Sequence, residues 1–514
     1  MNDQSHGLYR AMQSRDRRFE GSFIAAITST GIYCRPGCPA KMPREKNVRF
    51  FACAAAAEES GFRACLRCRP DASALLPAAA GSSATVARAL QLFSQEHIGG
   101  IPTICDKLGV GERHLRRLFM QHLGTTPIAA LRTQRLHFAR TLLEQTRLPM
   151  SEVALAAGYR STRRFNHEIL RAFDRSPTRL RDGALKSLAP KSSAAGRPHI
   201  RSAQIELKIP YAPPFDWPAL LSFFGAGAIE GVEVLEGKTY RRSVRVGPAG
   251  AATPIVLEVS HLPELNSLRV RFDVVPAQAI LQLVAGVKRM FGCAVQPHVV
   301  EEHLSRDPLL KKALAVHPGL RVPGAWDPFE LSVRALLGQQ ISVRAAQTLA
   351  GRLVRAFGEP LPEKLLHEAP AANFPTHLFP TPQAIVKAGA ERLAKQGMMP
   401  ARATALQKLA EVVTSGALDF AELRTLTIDE AVDAIEELPG FGPWSAHYIA
   451  MRALGKPDAF PLRDLGLLRG LRSAQPGATF NDFRDRAERW RPFRATAAIA
   501  LWLLDSQFAN GDLE

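Results

Sequence analysis

The 514-residue sequence lacks the features that place a chain in a membrane or outside the cell. It contains no run of about 18 apolar residues that could span a bilayer, and it starts with the polar segment MNDQSHGLYRAMQSRDRRFE instead of a secretory leader. Its seven cysteines are an odd number, which argues against a disulfide framework and favours a reducing compartment. These absences predict a cytoplasmic protein that contacts no membrane.

The C-terminal part of the chain also lacks net charge, whereas the N-terminal part is strongly basic. Residues 1–200 hold 31 basic and 15 acidic side chains, a net charge of +16, and residues 201–514 hold 35 and 33, a net charge of +2. A basic block attracts polyanions because neutralised phosphates release counterions, although a solvated charged surface is the alternative. The charge of the first part predicts DNA binding. The second part is nearly neutral, so it would have to bind DNA by a means other than net charge.

Four cysteines form two close pairs in the first 75 residues. TGIYCRPGCPA places Cys34 and Cys38 four apart, and GFRACLRCRPD places Cys65 and Cys68 three apart. Two such pairs separated by a loop can supply four sulfurs to one zinc ion. Spacing alone favours a purely structural zinc site.

The segment TGIYCRPGCPAKMPREKNVRFF and the following AEESGFRACLRCRPD resemble the zinc domain of the Ada adaptive-response family. The resemblance implies that Cys34 is a zinc-bound thiolate that accepts a methyl group from DNA phosphotriesters, with Cys38, Cys65 and Cys68 as the other ligands. Methylation would change the net charge of the zinc-thiolate centre from −2 to −1, so we expect the methylated domain to repel phosphates less and bind DNA more tightly.

Two arginine-rich units in residues 85–182 have the pattern of helix-turn-helix motifs. In each, a turn precedes a helix that combines exposed basic positions with an apolar face. Joined by a long helix at about 127–145, they resemble the AraC-type DNA-binding domain, although a helical bundle with a basic exterior is the alternative. The candidate DNA contacts are Arg113, Arg116, Arg117, Arg160, Arg163 and Arg164.

The segment ELPGFGPWSAHYIAMRALG predicts a helix-hairpin-helix in which Gly440 and Gly442 let the backbone approach a phosphate at a helix N-terminus. Together with the downstream Asp464 and PFELSVRALLGQQISVRAA, it resembles the HhH-GPD superfamily and, over about 300 residues, AlkA-type 3-methyladenine DNA glycosylase II. The resemblance implies that Asp464 is the catalytic carboxylate; a salt-bridged surface aspartate, paired with Arg463, is the alternative. Trp444 stands where lyase members carry a lysine, so we predict a monofunctional hydrolase.

A flipped alkylated base carries positive charge and needs an electron-rich pocket. The resemblance points to Trp444, Tyr448, Trp502 and Phe223 as the walls, although aromatic residues at helical spacing are often simply core. Gln340 lies at the family's wedge position, which some relatives fill with leucine. No Pro-Cys-His-Arg motif occurs, so repair of O6-methylguanine is not predicted.

The predicted fold class is multidomain and mainly α with α+β parts. The predicted divisions are a zinc methyl-acceptor domain at 1–76, a helix-turn-helix domain at 84–183, a linker at 184–203, a small antiparallel β domain at 204–276 and an all-α helix-hairpin-helix glycosylase domain at 277–514.

The function we expect from these domains is that of a bifunctional alkylation-repair protein and transcriptional regulator. The alternatives are a methyl-responsive transcription factor with an inactive glycosylase half and a non-enzymatic zinc-stabilised DNA scaffold. Expected cofactors are one Zn²⁺ and a monovalent cation at the hairpin, with no organic cofactor. Expected partners are double-stranded DNA and RNA polymerase, bound by a monomer associated with the bacterial nucleoid.

Overall fold

The computed structural model describes residues 3–15, 19, 22–65, 67–68, 70, 84–94, 100–188, 204–247, 252–367, 373–473 and 475–505. Of the predicted linker at 184–203, residues 184–188 belong to a helix, and residues 189–203 lie outside these ranges. Within them, helices dominate and the sheets are small and largely antiparallel, which confirms the predicted fold class. None of the helices described is long and apolar enough to cross a membrane.

The first unit is a four-stranded sheet in the order β3-β1-β2-β4, flanked by helices. The central strand β1 is fully buried and pairs antiparallel with β2 and β3, and β2 pairs parallel with β4. Its elements are α1 (Asp3–Gln13), β1 (Ile24–Ile27), β2 (Ile32–Cys34), β3 (Val48–Phe51), α2 (Ala54–Glu59) and β4 (Arg63–Ala64).

The second unit consists of helices arranged around one long central helix, as the sequence predicts. The central helix begins with Thr126, whose hydroxyl accepts a hydrogen bond from the amide of Ala129, and with a proline in its first turn. The helices are α3 (Ala84–Ser94), α4 (Ile101–Leu108), α5 (Glu112–Leu123), α6 (Pro127–Gln145), α7 (Met150–Ala156), α8 (Thr162–Phe173) and α9 (Pro177–Leu188).

The third unit is a five-stranded antiparallel sheet in the order β5-β9-β8-β7-β6. Its edge strand alternates buried and partly exposed residues, the pattern of a sheet with one face on a core. The elements are β5 (Gln204–Pro210), α10 (Trp217–Ala226), β6 (Glu233–Glu236), β7 (Thr239–Val246), β8 (Thr253–Leu262), β9 (Ser267–Asp273) and α11 (Ala277–Met290).

The hydrophobic core of this sheet extends past the predicted boundary at residue 276. Ile280, Leu283 and Val287, on one face of α11, are fully buried in the same core as the strands. A break between sheet and helix would expose these side chains to water, which is why the sheet and α11 form one packing unit.

The helix-turn-helix unit packs directly on this third unit. Helix α7 lies against α11, and the apolar side chains of both belong to one continuous core. The side-chain oxygen of Gln145, at the end of α6, also accepts a hydrogen bond from the amide of Lys208 on β5 at 2.7 Å. The two halves of the chain are therefore in contact through packed side chains.

The last unit is a helical domain with its own core. The helices are α12 (Pro297–Leu304), α13 (Pro308–Val316), α14 (Pro328–Leu337), α15 (Val343–Phe357), α16 (Glu363–His367), α17 (Pro382–Ala394), α18 (Pro400–Ser415), α19 (Phe420–Leu423), α20 (Ile428–Glu436), α21 (Pro443–Arg452), α22 (Leu465–Arg472), α23 (Phe480–Glu488) and α24 (Arg494–Leu504). Two short strands, β10 (Glu359–Pro360) and β11 (His377–Leu378), pair with each other.

A buried charge network ties the sheet to α14. Arg242 on β7 donates to Glu330 at 2.6 Å, and Arg334 donates both to Glu330, also at 2.6 Å, and to Glu233. Burial alone would raise the pKa of Glu233, but Arg334 and Arg242 lower it to about 2. The network fixes α14, the helix that leads into the predicted wedge loop, against the sheet.

Candidate functional site

The four clustered cysteines meet at one end of the first sheet. Cys34 ends β2 and Cys65 follows β4, and the parallel pairing of these strands brings the two residues together. A tight turn returns the chain to Cys38, whose amide donates to the carbonyl oxygen of Arg35. The sulfur atoms of Cys34, Cys38, Cys65 and Cys68 all lie within 4.8 Å of one another, and all four residues are buried.

The chemistry of this cluster fits a zinc ion. All seven cysteines of the chain are free thiols, so the cluster is not a pair of disulfides. Sulfur atoms bound tetrahedrally to zinc at about 2.3 Å stand about 3.8 Å apart, a spacing that the cluster permits. The neighbouring thiols, first Cys38 and then Cys65 and Cys68, raise the pKa of Cys34. A zinc ion would hold all four sulfurs as thiolates.

Cys53, which lies between the two pairs in sequence, does not join them. It precedes α2, and its thiol faces the carbonyl oxygen of Leu123 at the end of α5, at 3.5 Å. Burial raises the pKa of Cys53, so it remains a neutral thiol. Its role in the structure is packing between the first two units.

A buried polar cluster links the first unit to α6 directly beside the thiols. The hydroxyl of Tyr33 donates to Glu58 at 2.8 Å, and His137 and Thr133 on α6 contact the same carboxylate at 3.0 and 2.5 Å. Burial alone would raise the pKa of Glu58, but His137, together with Thr133 and Tyr33, holds it below its ordinary value. This cluster could not be predicted from the sequence, because its members lie up to 104 residues apart.

The predicted DNA-contacting arginines lie on or beside α5 and α8, with their side chains exposed to solvent. The opposite faces of both helices are buried, so each helix presents one basic and one apolar side. Arg164 pairs with Glu168 at 3.1 Å, which engages part of its charge within the domain. The geometry places a basic surface on the second helix of each helix-turn-helix, the element that enters the major groove in this motif.

Asp464 caps the N-terminus of α22 and is held by two tryptophans. Its Oδ1 atom accepts hydrogen bonds from the amide of Leu467 at 2.8 Å and from the indole of Trp502 at 2.9 Å. Its Oδ2 atom accepts one from the indole of Trp444 at 2.7 Å. No residue in the described ranges forms an ion pair with it, so the expected alternative, a pairing with Arg463, is not seen.

Geometry leaves part of this carboxylate available for chemistry. A carboxylate has about four lone-pair positions, and protein donors occupy three at Asp464. The remaining position is on Oδ2. Asp464 is thus oriented rigidly while one acceptor position stays open to a water molecule or to a developing positive charge.

The four aromatic residues predicted as pocket walls come together beside Asp464. Trp444 and Tyr448 are stacked at 5.2 Å between ring centroids, and Trp502 lies 6.2 Å from Tyr448 and from Phe223. Phe223 comes from α10, so two of the packing units contribute to this aromatic cluster. These distances bring four π-systems together, and two of the rings, Trp444 and Trp502, donate to the Asp464 carboxylate.

Arg452 was missed by the sequence analysis and lies among these rings. Its guanidinium is 4.6 Å from the ring centroid of Phe223 and 5.2 Å from that of Tyr448, and it donates to the Tyr448 hydroxyl. A signal was present: Trp444, Tyr448 and Arg452 are spaced four apart and therefore share one face of α21.

The hairpin and the wedge loop contact each other. Gly440 has a φ of 83° and its carbonyl oxygen accepts from the side chain of Gln339 at 2.8 Å, while Gly442 caps α21. Gln340 is exposed and has a φ of 57°, a conformation that non-glycine residues rarely adopt. Gln340, exposed and in a strained backbone conformation, therefore directly follows the residue that contacts the hairpin backbone.

Family models match four consecutive parts of the chain. The metal binding domain of Ada matches residues 7–71, a helix-turn-helix domain matches 104–183, the AlkA N-terminal domain matches 206–327, and the HhH-GPD superfamily base excision DNA repair protein matches 333–490. The AlkA N-terminal match continues to residue 327, beyond the predicted boundary at 276, in agreement with the packing of α11.

Two curated proteins show the extent of the likeness. A Mycobacterium tuberculosis protein named "Probable bifunctional transcriptional activator/DNA repair enzyme AlkA" is 36% identical over 510 residues, which cover 98% of this chain and 97% of that protein. The Escherichia coli DNA-3-methyladenine glycosylase 2 is 34% identical over 296 residues, 57% of this chain and 95% of that protein.

Among solved structures, the 3-methyladenine DNA glycosylase from Archaeoglobus fulgidus matches with a TM-score of 0.50 and 23% identity. The match covers 59% of this chain and 99% of the archaeal one. It shows that the C-terminal part of the chain has the same fold as that protein.

Proposed function

This chain belongs to the family of the bifunctional transcriptional activator/DNA repair enzyme AlkA, and from that premise we propose that it carries out two repair reactions and regulates transcription. It accepts methyl groups from DNA phosphotriesters on Cys34, and it hydrolyses the N-glycosidic bond of alkylated purines of the 3-methyladenine type. Methyl acceptance in turn activates promoter binding. The observation that carries the proposal is the pairing of a buried four-thiol cluster with an aromatic pocket around Asp464 in one chain.

Methyl acceptance rests on Cys34 as the nucleophile. Zinc, when bound by Cys34, Cys38, Cys65 and Cys68, keeps the sulfurs deprotonated at neutral pH. The Cys34 sulfur forms a bond to the methyl carbon, the bond from that carbon to the phosphotriester oxygen breaks, and the phosphate leaves as an ordinary diester anion. The product is a thioether, so each molecule accepts one methyl group and is not regenerated.

Promoter binding follows from the arginines on α5 and α8. The lower negative charge of the methylated thiol cluster favours DNA, and the exposed arginines supply the groove and phosphate contacts. RNA polymerase as a partner, a monomeric state, association with the nucleoid and a cation at the hairpin stay predictions.

Base excision rests on Asp464 and the surrounding rings. An alkylated purine is already cationic, so it leaves with the bonding electrons as a neutral base without a general acid. The open position on Oδ2 of Asp464 then stabilises the developing sugar cation or orients a water molecule whose oxygen bonds to the sugar carbon and whose proton is released. The aromatic walls hold the extruded base by stacking.

The hydrolase assignment within base excision depends on the start of α21. Trp444 is the second residue of that helix and donates to Asp464, so the position that holds a Schiff-base lysine in lyases here orients the carboxylate. Borohydride treatment during turnover should trap no covalent adduct. A trapped adduct would show a lyase reaction and contradict this part of the proposal.

The experiment that tests the proposed excision compares the full-length protein with Asp464→Asn on methylated duplex DNA. Asparagine keeps the size and loses the charge, so we expect release of 3-methyladenine to fall by about 10²-fold or more. Thermal unfolding of both proteins serves as the folding control. Equal release by both proteins would show that Asp464 is not the catalytic carboxylate.

A further inference from the structure

Arg452 introduces a positive charge into a pocket whose proposed substrates are themselves cations. Its guanidinium lies over Phe223 and Tyr448, two of the four aromatic walls. Aromatic faces attract cations, and a guanidinium is a good partner for them. The chain's own side chain therefore already occupies part of the cation-binding capacity of this pocket.

The position of Arg452 is fixed by contacts that do not involve a carboxylate. Its Nε atom donates to the carbonyl oxygen of Pro323 at 2.7 Å, and an Nη atom donates to the Tyr448 hydroxyl. Among the described residues, its polar partners are these two neutral oxygens and not a carboxylate. The direct contacts that hold this charge in place, among the described residues, are ring faces and neutral oxygens.

The same contacts fix how Tyr448 can hydrogen bond. Because Arg452 donates to the Tyr448 oxygen, the hydroxyl proton of Tyr448 is available to another acceptor. A tyrosine held in this way offers a donor to a ring nitrogen or an exocyclic oxygen of a base. Such acceptors occur on neutral damaged bases as well as on cationic ones.

Resting on the proposed excision reaction, we infer that Arg452 is a specificity-determining residue that shifts the pocket away from cationic alkylated purines and toward neutral damaged bases with a hydrogen-bond acceptor, such as hypoxanthine. The effect is electrostatic. A base stacked on the far side of Phe223 would lie about 8 Å from the guanidinium, where two unit charges near a protein surface interact enough to change a rate about tenfold after solvent screening.

The test measures kcat/KM of the full-length protein on two duplexes, one with 7-methylguanine, a cation, and one with hypoxanthine, a neutral base. We expect Arg452→Met to raise the ratio of cationic to neutral excision by about tenfold. Arg452→Lys keeps the charge and should leave the ratio within about threefold of the wild type. Arg355→Met, which removes an exposed arginine paired with Glu230, is the matched control and should not change it.

Equal losses of both activities in Arg452→Met, with an unchanged ratio, would show a merely structural role and overturn the inference. If the methionine variant does not fold, Arg452→Gln removes the charge while keeping hydrogen-bond donors toward Pro323 and Tyr448, and the same rise in ratio is expected. A wild-type protein that releases neither base would refute the proposed excision itself, and that result is distinct from an unchanged ratio.

Discussion

The two halves of this chain use different physical means to meet the same polymer. Residues 1–200 carry a net charge of +16, and their candidate DNA contacts are exposed arginines on α5 and α8. Residues 201–514 carry a net charge of only +2 and present a glycine hairpin, a strained Gln340 and an aromatic pocket. Residues 1–200 are therefore expected to bind DNA mainly through long-range charge, and residues 201–514 mainly through local backbone geometry.

Loss of the metal site should produce the largest difference between the activities of the two halves. Cys68→Ser removes one of four thiols without touching the acceptor Cys34, and we expect methyl transfer to be abolished because three sulfurs hold zinc poorly. Excision of 3-methyladenine should stay within about twofold of the wild type. Cys53→Ser, outside the cluster, is the control and should retain both bound zinc, measured by metal analysis, and methyl transfer.

Retention of stoichiometric zinc and full methyl transfer by Cys68→Ser would contradict the ligand assignment. A parallel loss of base excision would show that the two halves do not act independently.

The hairpin should be the most sensitive point of the other half. A Cβ at Gly440 would lie 2.9 Å from the Ala405 side chain in a backbone conformation that disfavours it, whereas one at Gly442 would meet nothing within 4 Å. We expect Gly440→Ala to cost about 1–3 kcal/mol of local strain and to lower excision by roughly tenfold or more. Gly442→Ala should fold normally, as judged by thermal unfolding.

If Gly442→Ala folds normally but weakens binding to undamaged duplex, close approach of the backbone to phosphate is supported. Normal stability and excision in Gly440→Ala would contradict the hairpin account.

Removal of surface charge should produce a smaller and salt-dependent change in the first half alone. Arg113→Ala combined with Arg116→Ala removes two exposed charges from α5, so the slope of log affinity for promoter DNA against log salt should fall by about 1.8. Excision should not change. An unchanged salt slope, measured by titration at several ionic strengths, would show that α5 does not contact phosphates.

The smallest difference between the halves should be in how their folding stability depends on pH, because each half contains a buried carboxylate. The pKa values of Glu58 and Glu233 are both lowered by basic partners, so each stabilises the folded state above its unfolded pKa and loses that effect as pH falls. For Glu233, whose pKa is about 2, the loss runs from about pH 4.5 to about 2 and amounts to about 3 kcal/mol. Thermal unfolding between pH 6 and pH 2 measures it.

Glu58→Gln should reduce the loss of folding stability of the first half at low pH, because glutamine has no negative charge that protonation could remove. Glu233→Gln should do the same for the second half. An acid dependence that neither substitution alters would contradict the assignment of stability to these buried groups.

The sequence predicted the parts of each site that depend on short-range spacing. The paired cysteines, the glycines of the hairpin and the helix patterns of the helix-turn-helix units are all local signals, and the family resemblance supplied Asp464. The structure brings Cys34, Cys38, Cys65 and Cys68 together, and it groups the four aromatic residues in one cluster, of which Trp444 and Trp502 contact Asp464.

Contacts between distant segments could not be predicted from one sequence. Arg452 lies on an identified helix, but its placement against Phe223 depends on how α10 packs beside α21. The link from Tyr33 to His137 and the packing of α7 on α11 depend equally on tertiary structure. Apolar side chains on α7 look the same in sequence whether they face their own domain or the next one.

The central claim is that one chain carries two independent reactive side chains, and one experiment tests it most directly. Full-length wild type, Cys34→Ala and Asp464→Asn are incubated with methylated duplex, and methyl on the protein and free 3-methyladenine are measured in the same sample. We predict that Cys34→Ala loses only the protein-bound methyl and that Asp464→Asn loses only the released base. Loss of both products in either variant, or of neither in both, would contradict the account.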